Sequence, residues 1–553
     1  MELRMLLAIV LSFLIFFLYQ VVFVKEPPAP VDKKDVAQKV QGAEKETVVK
    51  DEHVKVVDDK PSEEEVAAIT GIRPARTITV STPLYLAELT ENGGVLKSFR
   101  LKEYQESLAA GAPMKEIIQL PEGQPGTLEV SFMGERARGL KGAVFEAATE
   151  TEFMDVARGP QELSFAWTTA DGITIIKTYT FSGESYEIGL EIRVRNLSSE
   201  TISDNLTISL RSGFDEASKS RYVFSGPAAL IDGELKEIKT KNIASQDKYT
   251  GRISWVAHED QYFVSAIIPK EAEEAAIRLA APEKALETTY IDPSGAVTPR
   301  TERSYQYRVY FGPKSLEALG SVGADVAKIV DFGFFDIIAK PLLHAMNFMH
   351  KSIPNYGIVI IIITIIVKIL FWPLSNKSYQ SMSQMKKLQP KMAELRAKYK
   401  HDKKTMNQEL MNLYKLYKIN PLGGCLPMVL QIPVFFAFYK MLYQAIELRH
   451  APFFLWINDL SAPDRLFHFN FKVPLMAPPY GIPVLTIIMG ASMFLQQKMS
   501  PPPGDPTQAK MMMLMPIFFT FIFINFPSGL VLYWLVNNIL SMVQQRYVTK
   551  KTG

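Results

Sequence analysis

The run IVIIIITIIVKILFWPL, residues 358–374, is apolar except for Thr364 and Lys368. Backbone amides in hydrocarbon must bond within their own segment, so a run of this kind in a membrane is a helix. Comparable runs lie at residues 5–24 and at about 422–445, 480–499, 511–526 and 529–547. Most approach the ~20 residues needed to cross a ~30 Å hydrocarbon core. The fifth, MMMLMPIFFTFIFINF, spans only ~24 Å at 1.5 Å per residue, which favours a locally thinned bilayer. These runs predict a polytopic α-helical bundle of six spans. With an even number of spans, both termini lie on one side.

The chain between the first two runs is different. Residues 1–24 read as an uncleaved anchor, since no small-x-small cleavage site precedes KEPPAP. Residues 25–75 are rich in Lys, Glu, Asp and Val with no sustained apolar face, the composition of a flexible charged tether. From 76 to 325 the period becomes two. In YEIGLEIRVRN, Ile188, Leu190, Ile192 and Val194 alternate with Glu187, Gly189, Glu191, Arg193 and Arg195. That pattern puts one apolar face on a strand, and its recurrence predicts a β-sandwich. Residues 326–352, with FFDIIAKPLLHAMNFMH, mix aromatic and basic side chains as an amphipathic helix at a membrane surface does. A packed soluble helix is the alternative.

Charge gives orientation. Residues 377–418 carry eleven Lys or Arg against three acids, whereas 446–479 carry three of each. The first is therefore cytoplasmic and the 76–325 domain is periplasmic. Within 377–418, Met382, Met385, Leu388, Met392, Leu395 and Tyr399 recur at three- and four-residue steps, and Met406, Leu410, Leu413 and Tyr417 repeat them after KHDKK. Two amphipathic helices in an antiparallel hairpin fit this. The stripe either only zips the hairpin or offers a methionine-rich surface to apolar segments, through positions such as Met385, Lys391 and Lys398.

Signatures of catalysis are missing. There is no GxxxxGK[ST], HEDQY at 258 lacks the second histidine of HExxH, and the single Cys425 excludes an internal disulfide. No enzyme activity, metal or cofactor is expected. The polar residues within the apolar runs are harder to dismiss: Thr364, Lys368, Gln431, Thr486, Ser492, Gln496, Gln497, Asn537, Asn538 and Ser541 cannot all face lipid. Interhelical hydrogen bonds account for some. A polar groove is the other reading, and a small-ligand groove in a transporter or lipid-handling protein is the alternative function. A sugar-binding module held by mere anchors would not need six spans.

IIIITIIVKILFWPL, NPLGGCLPMVLQIPVFFAFYKML, ELRHAPFFLWINDLSAPD, FLQQKMSPPPGDPTQAKMMMLMP and FPSGLVLYWLVNN together resemble the YidC-type membrane protein insertases, in their Gram-negative form with a large periplasmic domain. The resemblance implies a five-span insertase core at 353–548 and a supersandwich-like β-domain without catalysis. It implies a groove open to the cytoplasm and lipid, lined by Lys368, Thr364, Gln431, Gln496, Asn537 and Tyr533. It implies an apolar slide for the incoming helix at Val434, Phe435, Phe438, Met515 and Phe519. The implied partners are nascent membrane proteins, the Sec translocon, the ribosome and the phospholipid bilayer of the bacterial inner membrane. In that family the groove cation is usually arginine, and here it is Lys368.

Overall fold

The computed structural model describes residues 54–56 and 74–552, apart from 135–138, 141, 215–222, 283, 324, 418–425 and 501–505. The anchor expected at 1–24, Cys425 and most of the tether lie outside the described residues.

Alternation builds the β-domain. In the strand Glu187–Asn196 the residues Ile188, Leu190, Ile192 and Val194 are all buried, as period two requires. Thr301–Pro313 and Ile173–Phe181 flank it, both antiparallel. They belong to a 14-stranded sheet whose main path also takes in Gln161–Thr168, Lys248–Glu259, Phe263–Pro269, Glu273–Ala280, Ala285–Ile291 and Leu206–Gly213. A 5-stranded sheet containing Thr77–Ser81, Tyr85–Thr90 and Val95–Gln105 packs against it. Phe99 of the smaller sheet lies 5.3 Å from Phe311 of the larger, and Tyr179 Oη donates to Gly94 O at 2.8 Å. Within the tether range, Val54–Val56 pairs with Thr301–Arg303 as a short edge strand.

Charged and polar side chains are also buried here, Lys177 among them. Lys177 is fully buried, its Nζ donating to Gly93 O and Leu128 O at 3.2 and 2.9 Å. Burial pushes its amine down to about 7. Its two carbonyl partners replace the water that the side chain has lost.

Helices take over beyond the domain. They are α1 (Leu316–Val322), α2 (Asp336–His350), α3 (Tyr356–Leu370), α4 (Trp372–Lys398), α5 (Lys403–Leu416), α6 (Leu426–Gln444), α7 (Val484–Met499), α8 (Pro506–Phe523) and α9 (Ser528–Thr552). The termini of these helices follow local chemistry. Asn355 caps α3 by accepting from Ile358 N, and Asp402 caps α5 by accepting from Lys404 N and Thr405 N. Helix α9 is the hub, packing on α3, α4, α6 and α7. Where α7 meets α8, a Cβ on Gly490 would stand 2.0 Å from Thr520 Oγ1, so glycine sets how closely these two helices approach.

The expected span at 354–375 is shorter than its hydropathy suggests. It stops at Leu370, and α4 departs at 66° after a one-residue break. Pro373 lies in the first turn of α4, where it suits a new helix start and disfavours continuation of the old one. Among the described residues no single helix is long and apolar enough to cross a membrane, whereas α3 and α4 pass that test as a bent pair.

Candidate polar recess and its flanking surfaces

Polar residues on α9 repeat at helical spacing on two faces. Asn537, Ser541 and Gln544 face α3, α4 and α6: Ser541 and Asn537 meet Lys368, and Gln544 Nε2 donates to Trp372 O and Asn376 Oδ1 at 3.2 and 3.1 Å. Asn538 and Gln545 face α7, where Asn538 Nδ2 donates to Ser492 Oγ at 3.0 Å and Gln545 Nε2 to Met499 O at 3.1 Å. The second set is interhelical glue. From the first set, Asn537 borders a space.

That space is a narrow recess, with room for about one water, lined by Thr364, Lys368, Ser375, Gln431, Tyr533 and Asn537, with Val367, Phe371 and Leu374 at its apolar side. Lys368 is buried, and its Nζ donates to Ser541 Oγ at 2.7 Å and to Asn537 Oδ1 at 3.3 Å. Gln431 Nε2 donates to the same Asn537 Oδ1 at 2.6 Å, and Gln431 also bonds the Tyr533 hydroxyl. Thr364 Oγ1 is turned back onto Ile360 O at 2.6 Å, so it contributes bulk and not a free hydroxyl. No carboxylate among the described residues neutralises Lys368. An ammonium held by neutral groups retains its field for an anionic visitor.

Toward the β-domain end the helices pack on buried aromatic and aliphatic side chains. Phe438 is fully buried and stacks on Tyr533 at 4.4 Å, and Ile360 and Ile363 are buried beside it. Lys368 lies twelve residues beyond Tyr356, or ~18 Å along α3 from that end.

The remaining expected residues fall in different places. Gln496 does not line the recess; it is on α7, beyond the Ser492–Asn538 contact. Of the slide residues, Val434 and Phe438 are core, Phe435 is half-buried edge-on to Trp534 at 4.5 Å, and Met515 and Phe519 are half-buried on α8. The exposed apolar stripe of α8 is instead Met513, Leu514, Ile517, Phe518, Phe521 and Ile522. Leu514 and Phe518 lie one position before the half-buried Met515 and Phe519. A hydropathy run cannot tell those faces apart.

Helices α4 and α5 close on a small core of Leu388, Met392 and Leu410, with Leu395, Met406, Leu413 and Tyr414 packed on it. Met385 is half-buried, Lys391 is tied across the hairpin to the Tyr417 hydroxyl, and Lys398 is exposed over the Tyr399 ring at 5.3 Å. Ahead of this core, α2 buries Ala339, Leu343 and Met346 against the bundle and leaves Ile337 and Phe348 exposed.

Two side chains of the 446–479 loop escaped sequence reasoning. Asp464 is buried, and its carboxylate accepts from Trp456 Nε1 at 2.5 Å and from Leu485 N and Thr486 N at 2.5 and 3.4 Å, which caps α7. Arg465 next to it donates to Pro479 O at 2.9 Å and to Ile524 O at 2.8 Å. The only available signal was an Asp-Arg pair between apolar segments.

The 60Kd inner membrane protein family signature matches residues 348–553, and that of the YidC periplasmic domain matches residues 77–345. The membrane protein insertase YidC of Syntrophus aciditrophicus (strain SB) is 41% identical over 568 residues, covering 100% of both chains. This chain belongs to the YidC family. The YidC of Citrifermentans bemidjiense is 44% identical over 479 residues, 86% of each chain. A crystal structure of an active YidC insertase aligns with 85% of this chain and 92% of its own, at 19% identity and a TM-score of 0.36. The two YidC signatures adjoin inside α2, so the helix that ends the β-domain also begins the bundle.

Proposed function

We propose that this protein is a membrane protein insertase of the bacterial inner membrane, working without nucleotide hydrolysis. The observation that carries the reading is the recess itself: a buried cation with no acidic partner among the described residues, surrounded by Gln431, Tyr533, Asn537 and Ser541 amid helices whose outer faces are apolar. A polar flank of an incoming chain, costly in lipid, is solvated there while its apolar helix leaves along the exposed stripe of α8. The full topology has six spans and both termini in the cytoplasm, with the β-domain in the periplasm. Such a topology places the mouth of the recess and the α4–α5 hairpin on the side where nascent chains arrive. Ribosomes and the Sec translocon are the partners this implies, met first by the hairpin around Met385 and Lys398. The β-domain docks on the bundle through Arg449, whose guanidinium donates to Gln105 O at 2.6 Å, and takes no chemical part.

The test is reconstitution of the purified full chain into proteoliposomes. A short single-span substrate added in nucleotide-free buffer is expected to become protease-protected at least tenfold more in these than in empty liposomes. Equal protection in both would remove the proposal.

A further inference from the structure

We propose that the loop between α6 and α7 is a membrane anchor in its own right, seating residues 466–482 in the head-group region of the outer leaflet beside α7. The Arg449 contact with Gln105 and Glu106 carbonyls puts this loop at the β-domain end of the bundle. Its tip is strongly apolar and uncovered: Phe467 is 69% exposed, Phe471 64% and Leu475 77%. Scattered exposed apolar residues are ordinary, but these sit together on one loop.

The presentation is built. Phe467 and Leu475 have φ of 51° and 64°, a left-handed backbone that large side chains avoid. The base beneath them fixes it. Asn525 Nδ2 donates to Leu475 O and Ala477 N donates to Asn525 Oδ1, both at 2.8 Å, while Arg465 holds Pro479 O. Strands Leu466–Phe469, which carries Phe467, and Tyr480–Ile482 pair as a hairpin that leads out to Phe471 and Leu475.

Lipid is the occupant that fits. The stretch LFHFNFKVPLMAPPYGI has no acid, and its Lys472 is exposed, which suits anionic head groups. The tip is also continuous with the lipid-facing side of α7, through exposed Ile482, Ile487 and Ile488. Helix α7 has 16 residues, or ~24 Å against a core of ~30 Å. The loop supplies the missing apolar height at the outer end.

The experiment uses the full chain with C425S and one new cysteine, F467C, F471C or L475C, labelled with an environment-sensitive fluorophore. L108C, on an exposed loop of the β-domain, is the control. In nanodiscs of phosphatidylethanolamine and phosphatidylglycerol, a shallow doxyl quencher at acyl carbon 5 should quench the loop labels at least twofold more than the control. It should also quench them more than a quencher at carbon 12 does. Three positions guard against one label disturbing the loop. Quenching no greater than at L108C overturns the proposal. So does a loop label shielded in native membranes yet unquenched in nanodiscs, which would assign the surface to a protein partner.

Discussion

Lys368→Glu is expected to lower insertion of substrates with acidic translocated tails by at least tenfold, while Lys368→Arg keeps most of it. In the parent, Nζ donates to Ser541 Oγ and Asn537 Oδ1, and no acid among the described residues cancels its charge. Glutamate at this position reverses the field of the recess. Asn537 and Ser541 can turn donors toward the new carboxylate, so the bundle keeps its hydrogen bonds and only the sign changes. A tenfold effect corresponds to ~1.4 kcal/mol, well within what one like-charge contact costs when partly shielded from water. Reversing the charge of the tail should restore insertion in part. The competing account has Lys368 as an anchor whose stem reaches the cytoplasmic head groups. If Lys368→Glu accumulates normally and inserts acidic-tailed substrates at the parental rate, the anchor account stands and the electrostatic one falls.

Asp464→Ala should destabilise the bundle by about 2–4 kcal/mol, the largest effect expected of any change outside the recess. Three donors lose their acceptor at once: the Trp456 indole and the Leu485 and Thr486 amides at the start of α7. Alanine offers none of them a partner. Asp464→Asn keeps one carbonyl oxygen and should lose roughly half as much. Thermal unfolding of the purified protein in detergent reads this directly. A shift under about 0.5 kcal/mol for the alanine variant would mean that water or the neighbouring loop replaces the carboxylate.

The sequence made some of this plain and hid the rest for identifiable reasons. Ile188, Leu190, Ile192 and Val194 are legible because a strand with one buried face needs no partner information to show its period. The recess was half legible. Lys368, Gln431 and Asn537 stand out as polar residues in apolar runs, but their convergence depends on contacts 106 and 169 residues apart. Gln496 carries the same polar signal and lies elsewhere, since rotation of α7 about its axis is set by packing at Gly490 and Ser492. The end of α3 at Leu370 was obscured because hydropathy continues through Phe371 and Trp372 while the backbone turns. The family resemblance puts Val434 and Phe438 in the slide, and only tertiary packing reveals that both are buried. Asp464 was invisible because a loop has no period against which a buried carboxylate stands out.

The central claim is that an incoming chain occupies the recess, and site-specific photo-crosslinking from inside it tests that most directly. A crosslinker at Leu374, in the recess wall, is compared with one at Ile539, exposed on α9, using a stalled nascent membrane protein of increasing length. The account predicts strong capture at Leu374 once the first apolar segment has left the ribosome, later capture at Phe518 on α8, and little at Ile539. Capture at Ile539 equal to or earlier than that at Leu374, at every chain length, would contradict it.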